Sequence, residues 1–422
     1  MVFIRYRQQL REIKKGGIKA FFAKVFRKIL ILFALPIVLV IRLVRPIFLF
    51  RFDCVYGYMG HFSADVELYL CARDLGIDVP KENHLDVFCV HLPVCNNQLL
   101  TMWKRILVFS PAWFVDSILR MNRLIPGGSV HEIATHAKRG DRDIYNWLDN
   151  SQPHLQFTAE EELQGERGLR AIGIPKRSQF VCLLVRDSFY HNEDYSTYNR
   201  HQFRDADIAN YVLMAKNLAA LGYYVIRMGA KMSIKFPVKN EKIIDYPFTG
   251  NRTEFLDIYL GAKCYFCVTT SSGWDAIPRY LFRKPTVFTN LPEFRLLHSS
   301  SSKYLILSKK HVDLKTKRLL SISELLERGI TECDSTSDYV ERGMELIENT
   351  PEEICEVTME MVDRLTGTWK SEPEDDILQK RFWNLFPLDA LDMETHNRLH
   401  GDDIQARIGA HFLRRNHASF LK

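Results

Sequence analysis

The sequence predicts an α/β protein made of two doubly wound units in tandem, preceded by a basic and apolar segment. The first observation is the length of the chain: 422 residues are more than a single hydrophobic core ordinarily serves and fit two domains. The second observation is the order of the predicted elements: strand-like apolar runs alternate with amphipathic helical stretches, as in a parallel sheet with crossover helices. The third is a polar break over residues 151–179, after which the alternation restarts.

Composition and charge indicate a globular protein with a basic head. Hydrophobic residues make up 46% of the chain and charged residues 26%, which are ordinary globular values. The net charge is +6, yet the first 45 residues hold eleven Lys or Arg and one acid, so the rest is mildly acidic. A basic head predicts an anionic partner surface. We favour a membrane over nucleic acid, because the basic residues do not continue into the body and no nucleic-acid-binding motif is present.

Residues 1–46 are the predicted membrane-associating segment. Ile29 to Ile41 are thirteen residues without a charge, whereas a spanning helix needs about 20 apolar residues. Arg42 and Arg45 then interrupt the apolar run. The pattern favours a helix that lies on, or enters, the inner leaflet with its arginines reaching the headgroups. A spanning helix and a helix buried against protein are the alternatives. No small-residue cleavage site follows, so a signal peptide is not predicted.

The cysteines predict reduced thiols rather than a disulfide framework. There are nine of them, an odd number, and most lie inside apolar runs. Cys264 and Cys267 form a single Cys-x-x-Cys with no second pair at zinc spacing. We interpret this pair as part of a buried strand, and the sequence predicts no metal site.

The first α/β unit is predicted over residues 47–150. Its opening strand, residues 47–57, leads through a glycine loop into a helix that begins with Ser63 as N-cap and ends at Gly76. Two further strands are predicted over residues 85–92 and 105–110, with loops around residues 121–133.

The second unit is predicted over residues 180–390, after a linker at 151–179 that carries one helix at 158–171. Residues 391–422 are a predicted C-terminal helical segment. The strands of the second unit are predicted over residues 180–188, 223–229, 241–247, 263–270 and 285–290. Its helices are predicted over residues 205–223, 253–262 and 275–283, the first with an aspartate N-cap and a glycine stop.

Cationic, polar and glycine residues follow the predicted strands of the second unit. Ligands of doubly wound sheets bind beyond the carboxyl ends of the strands. Arginine offers forked donors to phosphate oxygens, and loop amides add more. The sequence therefore predicts a diphosphate site at this edge. Its candidate residues are Arg186, Asp187, Arg227, Gly229, Asp245, Tyr246, Ser271, Ser272, Gly273 and Asn290.

The Ser271–Gly273 loop stands between a predicted strand and a predicted helix. With Asp275 as N-cap, Pro278 falls in the first helical turn, where it costs no hydrogen bond. The serines then lie ahead of the helix, where hydroxyls and loop amides meet a phosphate. Taken alone, the Ser-Ser-Gly loop also fits an ordinary turn, and Arg186 or Arg227 alone also fits a surface ion pair. Neither GxxxxGK[ST] nor GxGxxG occurs, so this is not a P-loop or a dinucleotide fingerprint.

The loop after the first strand is the candidate acceptor side. Gly57 and Gly60 allow backbone to approach a ligand closely. His61 is the candidate catalytic base, or a hydrogen-bond partner of a phosphate or sugar. A glycine turn with a packing histidine is the alternative, and Asp65 and Glu67 on the following helix are weaker candidates for the base.

These motifs, in this order, make the chain similar to a family of bacterial glycosyltransferases. The resemblance covers about residues 50–415, and the order of the motifs is more specific than any one of them. It rests on GxxGH after the first strand, VCLLVRDSFY, GYYVIRMG, IIDYP, FLDIYLGAKCYFCVTTSSG, the KPxxxxN strand and ARIGAHFLRRN.

The resemblance implies a GT-B fold, in which two Rossmann-like domains face a cleft and the second holds a nucleotide-sugar. It implies that Arg186 and Arg227 contact the donor diphosphate, that Ser271, Ser272 and Gly273 hold its β-phosphate, and that His61 lies at the acceptor side. No metal or cofactor is implied beyond the nucleotide-sugar substrate. The family is distantly similar to fucosyltransferases, but Leu184 replaces their strand-end histidine, so GDP-fucose is not implied.

The resemblance further implies transfer of a sugar to a surface glycan or lipid-linked acceptor, such as lipopolysaccharide or capsule. The expected location is the cytoplasmic face of the bacterial inner membrane, with anionic inner-leaflet lipid as a partner. Two alternatives remain open. One is another nucleotide-sugar enzyme, such as an epimerase, and the other is a non-catalytic membrane-tethered scaffold of polysaccharide assembly.

Overall fold

The protein is an α/β protein with parallel sheets, described here from a computed structural model. It divides into two compact units, the first formed by Met1–Tyr58 and Leu75–Thr135 and the second by Met59–Asp74 and His136–Lys422. This division differs from the predicted boundaries, because the helix that follows the first strand groups with the second unit. The structure describes residues 22, 25–133, 143, 146–187, 189, 200–294, 297, 301–386 and 404–422.

The first unit is built on a three-stranded parallel sheet in the order β1-β2-β3. All three strands were predicted. Helix α5 was not, and the prediction of loops was wrong for its last turn. Its apolar residues Val115, Ile118 and Leu119 have helical spacing and pack into the core of this unit. The elements up to this helix are α1 (residues 25–33), α2 (Leu35–Val44), β1 (Leu49–Val55), α3 (Met59–Asp74, of the second unit), β2 (His84–Val90), α4 (Asn97–Trp103), β3 (Val108–Phe109) and α5 (Ala112–Arg123).

Helices α1 and α2 belong to the first unit and pack on its core. Ala34 and Val38 are buried in the same core as Val115. Arg42 donates to the side-chain oxygen of Asn122 at 2.9 Å and to the Ile125 carbonyl at 2.8 Å, at the end of α5. These contacts fix the helix along the unit. Across the residues that the structure describes, no helix combines the length and the apolar character needed to cross a membrane.

One pair of cysteines is oxidised, against the prediction of reduced thiols. Cys54 and Cys89 face each other in the β1–β2 register, with Cα atoms 4.5 Å apart, and form a disulfide. The parallel register places both side chains on one face of the sheet. The remaining seven cysteines are free thiols. Cys264 and Cys267 are among them and are buried, as predicted. Only Cys267 lies in the strand, because Cys264 is the C-cap of the preceding helix.

The second unit is built on a seven-stranded parallel sheet, in the order β12-β9-β8-β7-β4-β5-β6. From the central β4 the chain winds first towards β6 and then, from β7 onward, in the opposite direction. The winding direction therefore reverses between β4 and β7. The strands are β4 (Phe180–Leu184), β5 (Tyr224–Arg227), β6 (Ile243–Asp245), β7 (Cys267–Thr269), β8 (Thr286–Leu291), β9 (Tyr304–Ser308) and β12 (Arg407–Ile408); β10 (Lys310–Asp313) and β11 (Met344–Ile347) pair antiparallel beside them.

The helices of this unit confirm most of the predicted ones. The helix predicted at 158–171 is α6, and Thr158 and Glu161 form its capping box. It is not a free linker, since Tyr259 of α8 donates to Glu162 at 3.0 Å. The C-terminal helix was predicted, whereas β9 to β12 were missed. The helices are α6 (Ala159–Ala171), α7 (Val212–Ala220), α8 (Glu254–Lys263), α9 (Ile322–Glu327), α10 (Thr336–Glu341), α11 (Pro351–Thr366), α12 (Asp375–Asn384) and α13 (Ala410–Phe420).

The close packing of α6 on α8 gives a stability prediction. We expect Gly165→Ala to lower the melting temperature, because a Cβ at this position would overlap the ring of Tyr259. Alanine is the better helix former by about 1 kcal/mol, but overpacking costs about 1–3 kcal/mol. Thermal unfolding by circular dichroism measures the difference. Glu166→Ala, one residue on and partly exposed, is the control and should leave the melting temperature nearly unchanged. A more stable Gly165→Ala variant would contradict the packing.

Candidate functional site

The candidate site lies at the carboxyl ends of β4 and β7. Doubly wound sheets bind ligands beyond the carboxyl ends of the strands, where the winding direction reverses. Here the winding reverses between these two strands, and the edge at their carboxyl ends is called the crevice below. Their ends are tied together: Thr270 N–H donates to the Leu184 carbonyl at 3.1 Å, and Arg186 N–H donates to the Thr270 hydroxyl at 2.8 Å. The two predicted elements, an arginine after β4 and a serine-glycine loop after β7, are therefore adjacent.

The loop after β7 is held in an unusual backbone conformation. Ser271 has φ +61°, in the left-handed region that non-glycine residues seldom occupy. Its N–H donates to the Thr269 hydroxyl at 3.0 Å, and its carbonyl accepts from Arg204 Nη2 at 3.0 Å. Such backbone conformations persist only when surrounding contacts hold them, and they concentrate at functional sites.

Ser272, not Asp275, is the N-cap of the segment that follows. The two residues form a capping box, in which the Ser272 hydroxyl accepts from Asp275 N–H and Asp275 Oδ2 accepts from Ser272 N–H at 2.9 Å. The predicted cap at Asp275 was therefore wrong. The segment is a 3₁₀ turn, Gly273–Asp275, followed by a π turn, Ile277–Leu281. The Ser271 and Ser272 amides both donate within the fold, so the loop amide that a ligand would meet is that of Gly273.

Three cationic side chains surround the edge of the crevice, joined through Asp205. Arg186 Nε lies 3.4 Å from Asp205 Oδ1, and Lys309, which follows β9, donates to the Asp205 carbonyl at 2.6 Å. The third is Arg204, the residue before Asp205 and the donor to Ser271. The segment at 204–205 thus connects the ends of β4, β7 and β9.

The cations of this edge have both basic and acidic neighbours. Burial and the nearby Arg204 lower the pKa of Arg186, to about 10, against the opposing effect of Asp205 and Glu293. Burial also lowers the pKa of Lys309, against the attraction of Glu348 and Asp205. The edge therefore brings three cationic side chains together with three acidic neighbours, Asp205, Glu293 and Glu348. The cationic side chains are the groups that an anionic ligand would meet.

Helix α3 brings His61 to the same loop. A Cβ on Gly273 would lie 3.1 Å from the backbone nitrogen of Gly60, so these two glycines allow the backbones to approach closely. His61 comes next in the chain, and its Nδ1 lies 3.3 Å from Oδ2 of the buried Asp65. Ser63, the predicted N-cap, is instead buried inside α3. A carboxylate behind an imidazole orients the ring, which suits a general base.

Arg227 and Asp245 pair with each other at the ends of β5 and β6. Arg227 is 1% exposed, and its Nη1 donates to the Ile234 carbonyl at 2.6 Å and to Asp245 Oδ1 at 3.2 Å. Burial lowers the pKa of Arg227, and Asp245 opposes that effect. Gly229 has φ +155°, and a Cβ there would overlap the side chain of Met232. These residues shape the loop after β5, and their charged groups are occupied.

The other predicted residues also have partners within the fold. Asp187 Oδ2 accepts from Ser233 N–H at 2.8 Å, and the buried Tyr246 hydroxyl accepts from Thr253 N–H at 3.1 Å. Asn290, at φ +52°, is fully buried. Its side chain accepts from Asn349 N–H at 2.6 Å and donates to the Tyr211 hydroxyl at 3.0 Å. Gly57 belongs to the first unit, where a Cβ would meet the carbonyl oxygens of His91 and Pro93.

The structure thus brings Arg186, the Ser271–Gly273 loop, Gly60 and His61 together, and adds Arg204 and Lys309, which the sequence reasoning missed. Lys309 had a usable signal, because it ends the apolar run YLILS, a strand that was not predicted. Arg204 had none, since it precedes a helix rather than following a strand.

A buried polar cluster fixes α3 within the second unit. Glu67, Cys71 and His154 lie together and are residue types that bind metals. Arg283 already occupies the space between them: it lies 2.8 Å from Glu67 Oε1 and donates to Cys71 Sγ at 3.3 Å. Burial raises the pKa of Cys71 to about 12, which disfavours the thiolate that a metal needs. The cluster therefore acts as an ion-pair network.

Comparisons with known proteins add little to this geometry. No family model matches the chain, and no curated protein matches it. A solved structure that is similar in part is the crystal structure of the glycosyl transferase family 9 from Veillonella parvula DSM 2008. The identity is 9% and the TM-score 0.41, and the match covers 75% of this chain and 97% of that chain. At this score the likeness carries no conclusion about activity.

The cluster around α3 makes stability depend on pH. His154 binds Glu67 at 2.9 Å and Asp74 at 2.8 Å through its two ring nitrogens. Burial lowers the pKa of His154, but the two carboxylates outweigh burial and hold the pKa above its usual value. A raised pKa in the folded state stabilises the fold below the unfolded pKa of about 6.5, and this stabilisation is lost as pH rises through the folded pKa.

We therefore expect the melting temperature to fall as pH rises above the unfolded pKa of about 6.5, and this part of the fall to disappear in His154→Gln. His84→Gln is the matched control, because His84 lies at the surface and contacts a main-chain carbonyl, Glu82 O, at 3.1 Å. Identical pH profiles for the wild type and His154→Gln would contradict the role given to the cluster.

Proposed function

We propose that this protein is a glycosyltransferase of the GT-B type, which moves a sugar from a nucleotide-sugar donor to a glycan or lipid-linked acceptor. The observation that supports the proposal is the crevice between β4 and β7. Buried cations, a constrained serine-glycine loop and a histidine backed by a carboxylate meet there. The resemblance of the motif order to bacterial glycosyltransferases agrees with it.

In the proposed reaction the second unit holds the donor diphosphate. Arg186, Arg204 and Lys309 supply positive charge, and the backbone of the Ser271–Gly273 loop lines the other side of the crevice. As the bond from the anomeric carbon to the diphosphate oxygen breaks, its electron pair leaves with the nucleoside diphosphate. Fixed cations that face developing negative charge are a large source of rate enhancement. Because these side chains carry the charge, the proposed reaction needs no metal.

His61 is the proposed base on the acceptor side. The acceptor hydroxyl attacks the anomeric carbon and gives its proton to the imidazole. Asp65, whose carboxylate lies 3.3 Å from Nδ1, holds the ring in place and stabilises the imidazolium that forms. Asp65 is a positioning residue in this scheme, because it acts through His61.

The alternative is a non-catalytic scaffold of polysaccharide assembly. The observation that favours it is the engagement of Arg227, Tyr246 and Asn290 in bonds within the fold, which removes three of the predicted donor contacts. The two proposals differ in one measurable property. A transferase binds a nucleoside diphosphate in the crevice, whereas a scaffold has no need to.

A thermal-shift screen with UDP, GDP, CMP, ADP and dTDP tests the proposal. We expect one nucleotide to raise the melting temperature, since a ligand at a hundred times its dissociation constant adds about 2.7 kcal/mol. Arg186→Ala should weaken that binding about 10- to 150-fold, because charge-assisted hydrogen bonds contribute about 1.5–3 kcal/mol each.

The control is Arg415→Ala, which removes an arginine paired with Glu356 on the surface of the same unit and should bind the nucleotide normally. No shift with any nucleotide would favour the scaffold. A shift that Arg186→Ala leaves unchanged would place the nucleotide elsewhere and contradict the proposed site.

A further inference from the structure

The helices α1 and α2 carry two apolar stripes on opposite faces. Backbone bonds from Ala34 N–H to the Leu30 carbonyl and from Val38 N–H to the Ala34 carbonyl make them nearly continuous. The inner stripe packs on the first unit and is formed by Ile31, Ala34, Val38 and Ile41. The outer stripe, here called the outer ridge, is formed by Phe26, Ile29, Phe33, Val40, Leu43 and Ile47.

The spacing of the outer ridge shows that it is one face. Its members recur at intervals of three, four and seven residues, and at 3.6 residues per turn they project opposite the inner stripe. Phe33 is 72% exposed, Leu43 80% and Ile47 79%. A helix with one face on a protein core ordinarily has a polar outer face. A contiguous apolar surface of this kind marks a contact with a membrane or another protein.

The charge around the outer ridge distinguishes between a membrane and another protein as its partner. Lys28 and Arg45 are exposed at the two ends of the ridge. The sequence before residue 25 adds seven Lys or Arg and one acid. An anionic lipid surface attracts such a segment. A second copy of this chain would instead bring two basic heads together, which repel.

The contacts of the inner face decide the orientation. Arg42 is bonded to oxygens at the end of α5, and Arg27 pairs with Asp116 at 2.8 Å. The inner stripe is therefore packed on the first unit, and the outer ridge, with Leu32 and Leu39 at its side, is exposed to a lipid surface. A helix held in this way lies along a surface, with one face in the boundary between headgroups and acyl chains.

We propose that the outer ridge docks this protein on an anionic membrane, with α1 and α2 parallel to the bilayer. This attachment goes beyond the proposed glycosyl transfer and does not depend on it. An experiment that overturns one of the two proposals therefore does not overturn the other.

Sedimentation of the full chain with vesicles tests the docking. The probes are vesicles of phosphatidylcholine with phosphatidylglycerol and vesicles of phosphatidylcholine alone. We expect binding to the anionic vesicles, and a loss of about tenfold or more in Leu43→Asp and Phe33→Asp, since each substitution removes a large apolar side chain from the contact. Ile377→Asp is the control, because Ile377 is 67% exposed on α12, and it should bind as the wild type does.

Because both ridge positions are exposed, the variants should keep the melting temperature of the wild type. Ile47→Asp, just beyond α2, is a further ridge variant should one of them unfold. Binding that survives all ridge substitutions would overturn the proposal, since the basic residues alone would then account for it. Failure of the wild type to bind anionic vesicles would overturn it too. So would a dimer in solution that Leu43→Asp dissociates, because a second copy would then cover the ridge.

Discussion

The second unit depends on one arrangement: β4 and β7 are neighbours at the centre of a parallel sheet, although the chain runs through β5 and β6 between them. In doubly wound sheets, ligands bind beyond the carboxyl edge at such a reversal of winding. The hydrogen bond from Arg186 N–H to the Thr270 hydroxyl, 2.8 Å long, fixes the two strand ends beside each other. Arg186 and the Ser271–Gly273 loop take their places from that junction. Arg204 and Asp205 extend it to the end of β9, where Lys309 stands.

Helix α3 carries His61, the second part of the candidate site. Its sequence follows the first strand, but it lies in the second unit. Glu67 on this helix is bound to Arg283 and His154, a buried pairing that would be costly to break because the charges left behind would lack partners. At its start, the close approach of Gly60 and Gly273 brings His61 to the loop after β7. The same helix thus joins a stabilising network at its centre to a candidate base at its end.

The sequence predicted β1 to β8, because buried parallel strands are short apolar runs that end in polar or glycine residues, but it missed β9 to β12. It could not predict which polar side chains at the strand ends bind partners within the fold. Arg227 and Asn290 both follow the strand-end rule, yet the first pairs with Asp245 and the second with Asn349, because neighbouring strands and a distant loop supply partners. Arg204 reaches the crevice only through tertiary folding, and the Cys54–Cys89 bond depends on a register that spacing does not reveal. Local pattern determines elements, whereas the partners of buried polar groups are set by the whole fold.

The central claim is that the crevice between β4 and β7 holds a diphosphate. The most direct measurement is a crystal structure of the full chain with the nucleoside diphosphate that it binds. We expect density for the diphosphate between the Arg186 guanidinium and the Gly273 N–H, within hydrogen-bond distance of both, with Arg204 or Lys309 on the phosphate oxygens. A diphosphate bound elsewhere, with this crevice filled only by water, would contradict it.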